Sequence, residues 1–269
     1  MSRSSRKTYH HGNLRNAILE AAQRLLESDG AAALNFRRLA DEVGVSHAAP
    51  LAHFPDRLCL DASIAAQGFR RLSARLENAA EPAAQRDPSR LLDVLNPLLE
   101  SDRDRPQPAA PEWRLASYVR DPNPPISPRL PASLREKTEV GEYGASLIAA
   151  SLAYLRFALE RPGLYRAMYA PNLAEGMSEP APRAEAQTHL RELQEAKAKA
   201  ISVFVDLVAR GQKAGQFRRE IPAERAARLF TALAEGLADQ YLEERPRPGL
   251  GRLKDAEQLF ELLLRALAH

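Results

Sequence analysis

The stretch NFRRLADEVGVSHAAPLAHF, residues 35–54, decides how the chain is read. Asn35 has a side-chain oxygen able to accept from the free amides at a helix start. Phe36, Leu39, Ala40 and Val43 then fall on one face of the helix it opens. Gly44 is placed to end that helix in the left-handed conformation. Ser46 is placed to cap a third, short helix. That helix carries Ala48, Ala49 and Ala52, side chains too small to fill a core. Two short helices joined by GVS form the pattern of a helix-turn-helix, whose second helix enters the major groove of DNA. A small outer face lets such a helix approach base edges. His47 can donate to a base or a phosphate, and Ala48 and Ala49 can meet thymine methyl groups. Ser46 and the free amides beside it suit a phosphate. The pattern by itself also fits an ordinary helical hairpin packed in a bundle.

On the N-terminal side, Leu14, Ile18, Ala21, Ala22 and Leu25 recur at helical spacing and predict a first helix over 14–28, ended at SDG with Gly30 as its left-handed cap. Before it lies a polar, basic arm with Arg3, Arg6 and Lys7 and no acid. Beyond FPD, a long helix is predicted from about Asp56 to residue 80, with Leu60, Ile64, Phe69, Leu72 and Leu76 as its stripe. Residues 81–141 differ in kind: eight prolines lie between Pro106 and Pro131, and proline removes backbone donors and blocks helix interiors. The same segment holds the single tryptophan, Trp113, so it reads either as a packed flap over a cavity or as a floppy insertion. From Tyr143 the periodicity is helical again: ASLIAASLAYLRFALE up to RPG, a short helix over LYRAMYAPNL, a long one over EAQTHLRELQEAKAKAISVFVDLVARGQKAG, another starting near Pro222, a linker RPRPGLGR and a last helix over AEQLFELLLRALAH. No strand and no repeat is evident.

The totals narrow the classes. A chain of 269 residues with 45% hydrophobic and 27% charged residues can bury a real core as one large or two ordinary domains. Scarce glycine with abundant alanine and leucine favours helices. Net charge is only +3, so any nucleic-acid site must come from local charge. One cysteine, Cys59, cannot form an internal disulfide and points to a reducing compartment; its place near a helix start allows activation, but a packed, inert thiol is the preferred reading. MSRSSRKTYHHGN has no apolar run, and LIAASLAYL is too short to span a bilayer, so a cytoplasmic protein without a membrane partner is expected. No glycine-rich phosphate loop or GxSxG elbow is present, and neither His10 with His11 nor His47 with His53 makes a persuasive metal site. The residues point to no enzyme and no cofactor.

The run YHHGNLRNAILEAAQRLLESDGAAALNFRRLADEVGVSHAAPLAHFPDRLCLDASIAAQGFRRL, over residues 9–72, resembles the N-terminal domain of the TetR family of transcriptional regulators. YHHGNLR, VSHAAP, AYLRFALERPGLYRAMY and the closing LLLRALA resemble its subgroup with a WHG-type C-terminal domain. The resemblance implies an all-α fold, in which an N-terminal three-helix helix-turn-helix domain is joined by a long helix to a C-terminal helical domain for ligand binding and dimerisation. It divides the chain into a basic flexible arm (1–10), the DNA-binding domain (11–72) and the effector and dimer domain (73–269), with the Pro-rich insertion at about 101–141. It places Ser46, His47, Ala48, Ala49 and His53 towards DNA, brings Arg6 and Lys7 of the arm to phosphates or the minor groove, and makes Arg37 a phosphate contact. Leu51 stands where the family usually has a tyrosine, whose hydroxyl can bind phosphate, and Arg57 where it usually has a lysine. Thr231 and Glu235 stand where the subgroup has a Trp and a His.

Within the second domain, Tyr154, Phe157, Tyr165, Met168, Tyr169 and Phe204 are candidates for a largely apolar effector cavity, with Trp113 of the flap above it and Glu235 as a polar anchor. Such residues at helical spacing are, one by one, more often plain core. Val203, Leu207, Leu229, Leu233 and Leu237 form apolar stripes on helices near 190–215 and 222–243, expected at a homodimer interface. The function expected is a regulator, a repressor released from palindromic double-stranded operator DNA by a small-molecule effector, with the long helix coupling the two domains. The alternative is a helical ligand-binding or interaction protein that has lost specific DNA binding, favoured by Leu51 and the near-neutral total charge.

Overall fold

The computed structural model describes residues 14–83, 141–178, 183–243 and 250–268. The basic arm with Arg6 and Lys7, and Trp113 with nearly all of the Pro-rich insertion, lie outside the described residues. Nine α-helices stand among those described: α1 (Leu14–Ser28), α2 (Phe36–Val43), α3 (Arg57–Ala83), α4 (Glu142–Glu160), α5 (Pro162–Met168), α6 (Pro171–Ser178), α7 (Ala184–Lys213), α8 (Ala223–Glu243) and α9 (Leu250–Leu267). Extended pairing there is confined to one antiparallel bridge between Phe217 and Ala268. The fold is all-α. No helix among the described residues is long and apolar enough to cross a membrane. Contacts separate the chain into two units: the described residues up to Glu77 with Ala153–Val203, and those of Asn78–Leu152 with the described residues from Phe204 onward.

In the first unit, α1 buries Ile18, Leu19, Ala21, Ala22, Leu25 and Leu26, and α2 buries Leu39, Ala40 and Val43, while Phe36 is only half-buried. The stripe of α3 (Leu60, Ile64, Phe69, Leu72, Leu76) is buried throughout. Each such leucine or isoleucine contributes about 1.5–3 kcal/mol on leaving water. The helix ends follow the sequence signals. The Arg38 amide donates to Asn35 Oδ1 at 2.9 Å. Gly44 takes φ 76° and ψ 37°. The Val45 amide reaches back to the Ala40 carbonyl at 3.0 Å and the Gly44 amide to that of Asp41 at 3.2 Å, which satisfies two of the carbonyls in the last turn of α2. Asp56 caps α3 by accepting from the Cys59 amide at 2.9 Å. Burial raises the Asp56 carboxyl, but the Cys59 amide and the charge of Arg183 outweigh it and hold it below its usual range. The Cys59 thiol is fully buried, and burial first, then Asp56, push it up to about 11, so the thiol is packed and unreactive.

The elbow between α4 and α5 is set by RPG. Pro162 opens α5, where a missing amide costs nothing. Gly163 lies so close to α1 that a Cβ there would sit 2.3 Å from the Leu26 carbonyl oxygen. Glu27 of α1 accepts from the Gly163 amide at 3.0 Å and the Leu164 amide at 2.9 Å, so a carboxylate of one helix caps the start of another.

In the second unit, the Phe217 ring is buried against Gly211, where an added Cβ would lie 2.2 Å from it. Gly215 turns the chain at φ 74° after α7. The Arg218 amide donates to the Leu267 carbonyl at 2.8 Å, tying this turn to the end of α9. Phe230 of α8 and Phe260 of α9 are fully buried with rings 6.4 Å apart and 13° from parallel.

Three sequence expectations are corrected. The third short helix capped by Ser46 is not an α-helix: residues 47–49 form a turn, and Pro50–Ala52 a single 3-10 turn. Pro50 has no amide to donate to Ser46, so the segment closes through i→i−3 bonds, Ala49 to Ser46 at 2.9 Å and His53 to Pro50 at 3.1 Å. The single helix over LYRAMYAPNL is two, α5 and α6, because Pro171 opens a new helix after Ala170. The last helix starts earlier than AEQLFELLLRALAH, at Leu250 inside the supposed linker, since no proline follows Pro248 to block it.

Candidate nucleic-acid interface

α1, α2 and the start of α3 form a buried scaffold from which the segment Ser46–Phe54 projects. Ser46, His47, Ala48 and Leu51 are exposed, Ala49 and His53 half-buried, and Pro50 and Phe54 buried. Leu51 leaves 45% of its surface exposed, which puts an apolar side chain among the groups facing outward. Phe54 anchors the segment from below: it is fully buried, its ring 6.0 Å from that of His189, with the Arg15 guanidinium 5.6 Å from its centre. His189 in turn meets Ser63 Oγ at 2.8 Å, and Arg15 donates to Ser63 and to Glu192 at 3.2 and 2.9 Å. Burial first, then Arg15, hold His189 below the ordinary imidazole range against the opposite pull of Glu192 and Asp56. This network ties the floor of the Ser46–Phe54 segment to α1, α3 and α7.

The charges on this face differ in their freedom. Arg37 is exposed and has no carboxylate partner among the described residues, so it is available to a phosphate. Arg38 pairs with Asp29. His47 Nε2 lies 2.9 Å from Asp41 Oδ1, an exposed contact that orients the ring and engages one of its two nitrogens. Arg57 is the most committed: its Nε donates to both oxygens of Asp61 at 2.7 and 2.9 Å and its Nη1 to the Leu34 carbonyl at 2.5 Å. Asp61 also accepts from Asn172 at 2.9 Å, which fixes the pair further.

The residues expected to line an effector cavity are placed in two groups. Tyr154, Phe157, Tyr165, Met168 and Tyr169 lie in the first unit, all buried except Tyr169, which is half-buried. The Tyr154 and Tyr169 hydroxyls are 2.6 Å apart, and the Tyr165 ring lies 5.2 Å from that of Tyr169. Lys197, which sequence reasoning missed, stands over Tyr169 and Phe69 at 5.3 and 5.8 Å from their ring centres. No local pattern distinguishes it from the other lysines of α7. Phe204 is fully buried and Glu235 half-buried, both in the second unit. Thr231 is buried and donates to the Arg228 carbonyl at 3.1 Å. Of the interface candidates, Val203, Leu207 and Leu237 are buried, Leu233 half-buried, and Leu229 50% exposed. A group of acids, histidines and cysteine able to hold a metal is absent among the described residues.

A glycine-terminated short helix, a sharp turn and an outward segment of small side chains on a buried three-element scaffold define a helical protein of the helix-turn-helix class. Residues 18–58 match the model of the bacterial regulatory proteins of the tetR family, and residues 147–267 that of the tetracyclin repressor-like C-terminal domain. A protein of unknown function from Rhodococcus sp. RHA1 is 25% identical, with 98% of this chain and 100% of that one covered and a TM-score of 0.61. A bacterial regulatory protein in the tetR family from Rhodococcus RHA1 (15% identical, 95% and 97% covered, TM-score 0.54) and the TetR family transcriptional regulator PfmR from Thermus thermophilus (17%, 92% and 97%, 0.51) share the fold. None of the curated proteins matches. The chain belongs to the TetR family of transcriptional regulators: it is a DNA-binding regulator and not an enzyme.

Proposed function

We propose that the chain is a cytoplasmic repressor that binds a near-palindromic operator as a homodimer and leaves it when a small, largely apolar effector binds. Residues 11–72 serve as the DNA-binding domain and 73–269 as the effector and dimer domain. The observation that carries the reading is the outward segment Ser46–Leu51, whose exposed small and polar side chains are held by a buried scaffold that has no other use for them. Arg37 adds a phosphate contact, and Arg6 and Lys7 of the arm extend the electrostatic footprint. The effector is assigned to the aromatic group of Tyr154, Tyr165 and Tyr169, whose hydroxyl pair offers a polar handle in apolar surroundings. Leu229 and Leu233, one turn apart on α8, the first half-exposed and the second half-buried, leave an apolar strip at the surface that supports the dimer assignment.

The test is fluorescence anisotropy of the purified chain on DNA from upstream of its own gene, against a scrambled duplex, across a salt titration. Selective binding whose affinity falls steeply with salt is expected. Weak binding that is equal for both duplexes overturns the operator reading and favours a helical binding protein without a DNA target, for which the apolar Leu51 and the committed Arg57 are the supporting observations. Sedimentation as a monomer at micromolar concentration overturns the dimer.

A further inference from the structure

A cleft of about 480 Å³ opens in the first unit, away from the reading segment in sequence and from the tyrosine group in composition. Its walls come from α1 (Glu20, Gln23, Arg24, Glu27), α3 (Arg71) and the elbow before α5 (Arg161). Ser28 completes the lining, whose side chains all end in polar groups, three of them arginines and two of them glutamates. None of Arg24, Arg71 and Arg161 has a carboxylate within ion-pair distance among the described residues. The two acids do not cancel them. Glu27 already spends both oxygens on the Gly163 and Leu164 amides, which leaves Glu20 as the acid still open to the cleft. Arg71 is also aimed. Its guanidinium donates to the side-chain oxygen of Gln23, and Gln23 is 3% exposed and held through its own amide, which donates to Gln67 at 2.5 Å. A buried amide fixed at both ends sets the direction of the arginine before any ligand arrives.

We propose that this cleft is a binding site for a small multivalent oxyanion, a phosphoryl or polycarboxylate compound, held by Arg71 and Arg161 with Arg24 at the rim. Guanidinium groups are the side chains best matched to paired oxygens. Burial first, then the like charge of Arg161, already disfavour the protonated form of Arg71 against the pull of Glu20, so an anion between the two arginines relieves an existing repulsion. The ligand bridges α1, α3 and the α4–α5 elbow, three elements of one unit. The inference does not rest on operator binding or on the apolar effector.

The test is isothermal titration of the full chain with inorganic pyrophosphate and, separately, citrate, at ionic strength held constant with sodium chloride. Saturable binding at one site per chain is expected. Pyrophosphate alone would assign a phosphorylated ligand, and citrate, alone or with pyrophosphate, a polycarboxylate. Arg161→Gln, at an exposed position, should weaken binding roughly tenfold, as for one lost charge-assisted hydrogen bond. Glu20→Gln should tighten it, a gain that no folding defect can imitate. Absence of saturable binding by either anion, or an affinity unchanged by Arg161→Gln, overturns the proposal. So does a loss of DNA affinity in Arg161→Gln in anion-free buffer, which would give these arginines to the DNA backbone.

Discussion

Gly163→Ala is the substitution with the most direct structural consequence. The added methyl would lie 2.3 Å from the Leu26 carbonyl oxygen, 2.6 Å from its carbon and 3.0 Å from the Glu27 nitrogen. All three neighbours are backbone, so no rotamer change relieves the contact. An ordinary carbon-to-oxygen approach is about 3.3 Å or more, so α5 must withdraw from α1 by roughly 1 Å. That shift takes the Glu27 contacts to the Gly163 and Leu164 amides, now 3.0 and 2.9 Å, beyond hydrogen-bond range. Overpacking costs about 1–3 kcal/mol, and the lost bonds to a charged group add about 1.5–3 kcal/mol. Removing glycine's freedom in the unfolded chain returns about 0.4–1 kcal/mol. The net loss is about 1.5–5.5 kcal/mol, and at about 2–4 °C per kcal/mol for a chain of this size the melting point should fall by about 3–22 °C. Circular dichroism melts of Gly163→Ala, Glu27→Ala and the double variant form the assay. The double variant should lose less than the sum of the singles, because the alanine already breaks the bonds that Glu27 makes. A melting point within about 1 °C of the parent, or full additivity, would refute the reasoning.

Asn35→Ala removes the cap of α2 and should cost about 1 kcal/mol in urea unfolding, whereas Asn35→Ser should recover most of it. Gly211→Ala drives a Cβ into the buried Phe217 ring and should cost about 1–3 kcal/mol; Phe217→Leu in the same chain should restore part of that loss in a thermal melt. His189 is held neutral in the fold, so the unfolded chain binds the extra proton: stability is full above the ordinary histidine range and falls as pH drops through it towards the lower folded value. His189→Gln should flatten melts recorded between about pH 7.5 and 5.5 over that window. Leu51→Tyr puts a hydroxyl on the exposed face, within reach of a phosphate, and should tighten DNA binding about three- to tenfold in the anisotropy assay.

Residues 14–44 are almost fully legible in the sequence, because their helix ends are set by local chemistry: Asn35 caps, Gly44 turns and the apolar residues between them keep one period. The buried stripe of α3 is legible for the same reason. Ser46–Phe54 is legible in its exposure but not in its geometry, since the capping signal of Ser46 competes with the amide that Pro50 lacks, and the missing amide wins. The commitment of Arg57 to Asp61 has an i, i+4 signature in the sequence, but its bond to the Leu34 carbonyl has none. The cationic cleft is invisible in one dimension: Arg24, Arg71 and Arg161 become neighbours only once α1, α3 and the elbow pack. The assignment of Phe204 to the second unit is likewise illegible, because the division falls inside the uninterrupted helix α7, between Val203 and Phe204.

The 3-10 turn at Pro50–Ala52 has a consequence for anyone transplanting specificity into this chain. An α-helix advances roughly 100° per residue, so side chains four apart nearly align. A 3-10 turn advances roughly 120°, and side chains three apart eclipse. From Pro50 to Ala52, two steps, the two schemes diverge by about 40°. A residue set copied position by position from a regulator with an α-helical reading head would be rotated off its intended bases here. A graft onto Ser46–His53 must replace Pro50 along with the exposed residues, because the proline sets the angular register in which they are presented.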